Sequence, residues 1–319
     1  MHLLAVIIFI LCILLALWLA AGWYAFHVAL GRGTQLDLNN ADRIKGTSWE
    51  KYYKEITDGI RWITAQPYEE ICITSFDELK LCGNLISNPS AKGTVILFHG
   101  YRTFGNCDFS ADADHYYNLG YNLLIVDQRS CGRSEGKYIT FGINERKDCW
   151  KWIDYISERF GTEHEIFLGG LSLGASTVVM ASGKPLPPQV RGIIADSPFT
   201  SPYDIISRTI SHKYHAPSGI LMPVICFWSR CLAKISLREY STLQAMETNE
   251  TPILFVHGKM DDYVPWKMSV QTSEACRPYH ELFLVDGADH GTGYMVEPKL
   301  YREKLTAFFR YCSAKSQSH

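Results

Sequence analysis

The apolar positions divide the chain into three regimes. From Leu3 to Leu30 they run almost unbroken, and no Asp, Glu, Lys or Arg occurs between Met1 and Gly31. About 20 such residues cross a bilayer as a helix, so 1–31 is predicted to be a transmembrane anchor with Trp23 and Tyr24 in the interface belt. A cleaved signal peptide would begin with positive charge and carry a shorter apolar run. A polar connector follows over 32–67, where Trp49, Tyr52, Tyr53, Ile56, Ile60 and Ile63 recur at roughly helical spacing. That stripe is expected to pack on the domain beyond it. The domain itself, 68–312, alternates short apolar runs with helical periodicity, and 313–319 reads as a disordered tail.

Within 68–312 the residues Glu70 to Asn84 alternate as a hairpin does, with the turn near Phe76-Asp77-Glu78. Thr94–Phe98, Asn122–Val126, Ile166–Leu168, Val190–Ala195, Pro252–Val256 and Glu281–Val285 are predicted to be strands. Between them Ile143 to Phe160 has helical periodicity, with Trp150, Ile153 and Ile156 on one face. Strand, helix, strand and helix in succession make right-handed parallel units. The alternation breaks from about 200 to 249, which holds several helical segments, Pro217, Pro223 and the apolar group Ile220 to Trp228. Three readings stay open for this insertion: a lid over a site, an extra packed subdomain, or a surface that touches a bilayer. Pro298 to Tyr311 is predicted to be a closing helix.

Composition narrows the possibilities. With 319 residues, 47% of them hydrophobic, the chain has ample material for one large α/β core, and a net charge of −2 leaves no electrostatic footprint for nucleic acid. Ten cysteines, at 12, 72, 82, 107, 131, 149, 226, 231, 276 and 312, include no Cys-x-x-Cys pair. They fit neither a zinc site nor a small disulfide scaffold, and are expected to be buried thiols in a reducing compartment. No cation precedes the apolar helix, whereas Arg32, Arg43, Lys45, Lys51 and Lys54 follow it. The positive-inside rule then puts the amino terminus outside and the domain in the cytoplasm.

Candidate chemistry lies at the ends of the predicted strands. Gly170-Leu171-Ser172-Leu173-Gly174 follows the apolar run Ile166–Leu168 and precedes Ala175, Val178, Val179 and Met180 at helical spacing. A strand-to-helix turn this tight holds its serine in a strained conformation and raises the hydroxyl above the sheet edge. His99-Gly100-Tyr101-Arg102 closes the strand 94–98. A loop there can offer a backbone N–H to a developing oxyanion, with a second from the residue after the serine; these donors are Tyr101 and Leu173. The Tyr101 ring can instead shape an acyl pocket. Arg102 is expected in a structural salt bridge or against a substrate carboxylate, and His99 as an organiser of the loop.

His257-Gly258-Lys259-Met260-Asp261-Asp262-Tyr263-Val264-Pro265 ends another strand. A carboxylate here can accept the Nδ1 proton of a histidine; Asp261 is favoured and Asp262 is the runner-up. His290 lies past the last strand in the small-residue loop Asp286-Gly287-Ala288-Asp289-His290-Gly291. The order Ser172, Asp261, His290 completes a nucleophile, acid and base set.

These motifs, together with Asp127-Gln128-Arg129-Ser130-Cys131-Gly132-Arg133-Ser134, resemble the α/β-hydrolase superfamily over about 68–312. Ser130 replaces the usual first glycine of an Asp-x-Arg-Gly-x-Gly-x-Ser turn, whose Asp127 and Arg129 are expected to hold the loop. More narrowly, the chain resembles the small membrane-anchored bacterial branch described as serine-aminopeptidase-like or acylesterase-like. The resemblance implies an α/β fold, a mostly parallel sheet of the eight-stranded type flanked by helices, with a helical lid at about 200–249. It also implies a Ser172–His290–Asp261 triad working through an acyl-enzyme, with no metal and no organic cofactor. The apolar insertion and the anchor favour a lipophilic acyl ester as substrate. Peptide cleavage is the alternative, and a catalytically silent binding protein on the same scaffold is a third reading.

Overall fold

A computed structural model describes residues 2–33 and 41–315. Its strands are β1 (Tyr68–Thr74), β2 (Lys80–Ile86), β3 (Gly93–Phe98), β4 (Tyr121–Val126), β5 (Glu165–Leu171), β6 (Val190–Asp196), β7 (Ile253–Gly258) and β8 (His280–Val285). The helices are α1 (His2–Leu30), α2 (Tyr53–Ala65), α3 (Gly105–Asp108), α4 (Ala113–Asn118), α5 (Glu145–Phe160) and α6 (Leu173–Ala181). They continue with α7 (Pro202–His212), α8 (Ser218–Trp228), α9 (Thr242–Met246), α10 (Lys267–Ala275), α11 (Gly293–Val296) and α12 (Pro298–Lys315).

The strands form one eight-stranded sheet in the order β1-β2-β4-β3-β5-β6-β7-β8. β1, β2 and β4 pair antiparallel, and every pairing from β4 through β8 is parallel. The apolar runs are continuous because both faces are covered, and alternate side chains feed opposite cores. Ile96, Phe98, Ile166, Leu168, Ile193 and Phe255 meet α5 and α6 on one face. Val95, Leu97, Phe167, Ile194, Leu254 and Val256 meet α4 and α12 on the other. The insertion between β6 and β7 is helical, as its sequence predicts, and consists of α7, α8, a π turn over Ser229–Ala233, and α9.

α1 is long and apolar enough to cross a membrane. Its first part is exposed, but Gly22, Phe26 and Leu30 are buried against the insertion. The connector stripe packs as expected, with Ile56, Ile60 and Ile63 buried. α12 runs on to Lys315, so 313–315 are helical rather than a disordered tail, while 316–319 lie outside the described residues.

The expectation of buried thiols is corrected at five positions: Cys12 and Cys231 are exposed and Cys226 is half-buried, while Cys72 and Cys82 form a disulfide. The hairpin register places them directly opposite each other, Cα–Cα 4.2 Å, within reach of a bridge. Cys107, Cys131, Cys149, Cys276 and Cys312 are buried thiols.

The turn after β5 depends on two glycines for space. A Cβ at Gly174 would lie 1.8 Å from the Phe98 carbonyl oxygen, and one at Gly170 would lie 2.3 Å from the Gly174 carbonyl carbon. Gly174→Ala is therefore expected to lower the unfolding free energy by about 3 kcal/mol. Gly219→Ala, whose Cβ meets nothing, should move it little. Thermal unfolding of the two variants in the same detergent compares them.

Candidate active site

Ser172 sits between β5 and α6 at φ 56 and ψ −111, in the left-handed half of backbone space that non-glycine residues avoid. Its N–H donates to the Asp196 carbonyl at 2.8 Å, and its own carbonyl accepts from Ser176 N at 2.9 Å. The conformation is thus fixed from both sides. Ser172 lines a cavity of about 900 Å³ that it shares with His290, Tyr101, Trp49, and Arg208 and Lys213 from the insertion.

Asp261 stands beyond the end of β7 and is almost fully satisfied. Its Oδ1 accepts the N–H groups of Tyr263 at 2.9 Å and Val264 at 2.7 Å. Its Oδ2 lies 2.6 Å from His290 Nδ1 and 3.0 Å from His257 Nε2. Nε2 of the fully buried His257 also faces the Val264 carbonyl at 2.9 Å. Two acceptors at one nitrogen require it to carry the proton, which leaves Nδ1 to accept from the Ser269 hydroxyl at 2.6 Å. Asp262, the runner-up, is exposed and faces His212 and Arg208 instead.

The electrostatics follow from this packing. Burial pushes the Asp261 carboxyl up, but the His290 and His257 rings beside it outweigh that and hold it well below the usual carboxylate range. For His290 burial favours the neutral ring; the Asp261 charge and hydrogen bond, with Asp196 and Asp108 nearby, reverse this and raise its pKa. The ring is positioned from its backbone too, since the Trp49 indole donates to the His290 carbonyl at 2.7 Å. Among the described residues no hydrogen bond joins the Ser172 and His290 side chains, which both line the same cavity.

The other predicted residues are placed as follows. Among the described residues, neither the Tyr101 nor the Leu173 N–H has an acceptor. Leu173 is the first residue of α6, where a helix leaves its N–H groups unpaired. The loop before α3 is pinned by buried Asp108, whose Oδ2 accepts from Gly100 N and Thr103 Oγ1, both at 2.6 Å. His99 accepts from Gln128 N at 3.1 Å through Nε2 and faces the Gly100 carbonyl at 2.7 Å through Nδ1, so it does organise the loop. Arg102 makes no salt bridge among the described residues; its guanidinium lies over the Tyr101 ring and donates to the Gly31 carbonyl at 2.6 Å. Arg129 grips Asp148 and Asp77, and Asp127 holds Arg133, both as loop supports. Ser130 adopts φ 62, the conformation a glycine would favour, and its hydroxyl donates to the Tyr138 carbonyl at 2.9 Å.

Trp49, Asp108 and His257 were missed by sequence reasoning. Trp49 looked like one more position in an apolar stripe, and Asp108 lies in no motif. The motif gives His257 no role, since only folding brings its ring behind Asp261. Among the described residues one cluster has ligand types suited to a metal, Glu70 with Cys72 and Cys82, at the sheet edge formed by β1 and β2. With the two sulfurs bonded to each other, it offers a single carboxylate.

Residues 89–225 match the family described as serine aminopeptidase, S33. The chain is 28% identical over 226 residues to the uncharacterized protein YqkD of Bacillus subtilis, covering 71% of this chain and 74% of that one. It is 26% identical over 204 residues to an uncharacterized membrane protein of Saccharomyces cerevisiae, covering 62% of this chain and 64% of the other. Among solved structures the esterase Pf2001 of Pyrococcus furiosus superposes with a TM-score of 0.64 at 22% identity, over 79% of this chain and 93% of that one. Sheet order, elbow and the structural likeness together give the chain the α/β-hydrolase fold.

The pKa of His290 predicts a titration. A raised value keeps the ring charged above the ordinary 6.5 and releases its proton only as pH climbs through the higher value. Asp261→Asn removes the counter-charge but leaves the burial, so the ring should then titrate below the wild-type value and lose charge at lower pH. Histidine-selective NMR of the two proteins reads the difference.

Proposed function

We propose that the protein is a serine hydrolase acting on carboxylic esters of lipophilic acyl groups. The observation that carries this reading is the 2.6 Å contact between His290 Nδ1 and Asp261, made at the cavity that also receives the strained Ser172. His290, held by Asp261 with Nε2 free to act, takes the Ser172 proton as the hydroxyl attacks the ester carbonyl. The N–H groups of Tyr101 and Leu173 receive the oxyanion. His290 then gives its proton to the leaving alcohol, and water cleaves the acyl-enzyme with the same imidazole as base. Asp261 stabilises the imidazolium throughout and stays ionised, as its depressed pKa allows.

The exposed apolar part of α1 supports a membrane-anchored enzyme, with Trp23 and Tyr24 at the interface. The Lys and Arg residues that follow α1 support a cytoplasmic domain. The Cys72–Cys82 bond is the feature that favours an oxidising compartment instead. Cys231 is exposed on the domain and decides the side: an impermeant thiol reagent should leave it unlabelled in intact cells. Ready labelling there reverses the orientation.

Peptide cleavage is the second reading, favoured by the serine aminopeptidase family match. Full-length protein in lipid nanodiscs is expected to react with a fluorophosphonate probe at Ser172 and to hydrolyse acyl esters in preference to aminoacyl amides. Ser172→Ala should abolish the label and lower kcat/KM at least about a thousandfold. Preferred amide cleavage would establish the peptidase, and absence of label would leave a silent scaffold.

A further inference from the structure

We propose that α1 is a positioning element of the active site as well as an anchor: its C-terminal turn holds the Tyr101–Arg102 loop, so that anchor and oxyanion donor form one rigid body. The inference rests on the serine hydrolase reading above, in which the Tyr101 N–H receives the oxyanion.

A helix ends with carbonyls that lack partners within it, and something outside must satisfy them. For α1 the loop bearing the candidate oxyanion donor does so. The Tyr101 hydroxyl donates to the Ala29 carbonyl at 2.8 Å, and Arg102 Nη2 donates to the Gly31 carbonyl at 2.6 Å. A cation there also suits the negative end of the helix dipole. The Leu30 carbonyl accepts from Ile139 N at 2.7 Å. Just beyond, Arg32 donates to the carbonyls of Gly132 and Ser134, both at 2.7 Å, and its own N–H donates to Lys137 O at 2.9 Å.

The dependence also runs from the loop to the helix. Arg102 stands at φ 53, a left-handed conformation that a non-glycine residue keeps only where neighbouring contacts hold it. The Gly31 carbonyl supplies such a contact. The Tyr101 ring is fixed by stacking on Phe141, with centroids 5.2 Å apart, and by its hydroxyl on α1. That leaves its N–H aimed by a side chain that α1 restrains.

Packing makes the join stiff. Phe26 and Leu30 are fully buried in a cluster that includes Leu173, the other candidate donor, and Phe141, Met222 and Ile225. Where α1 crosses α8 there is no room for a side chain, because a Cβ at Gly22 would fall 2.1 Å from Val224 Cγ1. Two indoles fasten the crossing: Trp18 donates to the Ile220 carbonyl at 2.9 Å, and Trp228 donates to the Leu19 carbonyl at 3.0 Å. A tether serving only to hold the enzyme near a membrane requires none of these contacts.

Two full-length variants in nanodiscs test the idea. Gly22→Val wedges α1 from α8 far from the chemistry, and Tyr101→Phe removes only the hydroxyl that reaches Ala29. Each is expected to lower kcat for a short-chain ester about tenfold, a fraction of the 10²–10³ that loss of a whole oxyanion donor costs, with KM within about twofold. A trifluoromethyl ketone, whose hemiketal oxyanion occupies the same position as the reaction's, should lose affinity in parallel, a loss that mere destabilisation would not produce. Tyr24→Ala, on the exposed side of α1, should leave both quantities unchanged. The proposal is overturned if kcat and ketone affinity stay within twofold of wild type in both variants; if Gly22→Val does not accumulate, Tyr101→Phe decides alone. Absence of a Ser172-dependent label on the wild type would instead overturn the hydrolase reading, and this inference with it.

Discussion

The turn that carries Ser172 constrains the rest of the molecule. A serine at positive φ is tolerated only because β5 enters and α6 leaves on a path too narrow for side chains at Gly170 and Gly174. That path brings α6 against the Phe98 carbonyl, at the end of β3, so the loop after β3 and the first turn of α6 are adjacent. Tyr101 stands in that loop and Leu173 in that turn. Their side chains face the cluster shared by α1 and the insertion, which is why the residue types there say little about the chemistry.

On the opposite wall the arrangement is electrostatic. Asp261 is surrounded by two backbone N–H groups and two imidazoles, and it remains charged although buried. His257, its proton fixed on Nε2 by two acceptors, steadies the carboxylate from behind, and His290 approaches from the cavity side. Trp49 adds a third restraint from the connector. Residues far apart in sequence thus fix one ring, and a motif reading confined to the hydrolase domain sees only part of them.

The N-terminal segment is more integrated than its composition suggests. An apolar helix with no charged residues has the length and character to cross a bilayer, and α1 has both. Its last turns nevertheless belong to the domain, since Phe26 and Leu30 are as buried as any core residue. Arg32, which as a sequence feature is a cation after a membrane helix, spends its guanidinium on carbonyls of the 132–134 loop.

Much of this was legible from the chain alone. Continuous apolar runs separated by helical periodicity gave a parallel sheet covered on both faces, and the order Ser172, Asp261, His290 at strand ends gave the candidate site. Local backbone chemistry dictates both, because strand, turn and helix each need particular residues at particular spacings. The Cys72–Cys82 bridge, by contrast, needed the hairpin register, which sets the two positions opposite each other. What the tertiary structure alone decided is how distant segments meet: Trp49 on the His290 carbonyl, His257 behind Asp261, Asp108 beneath Gly100, and the end of α1 on Tyr101 and Arg102. Contacts of this kind depend on where whole elements dock. No periodicity encodes that, because docking is set by the summed packing of many side chains and not by the spacing of a few.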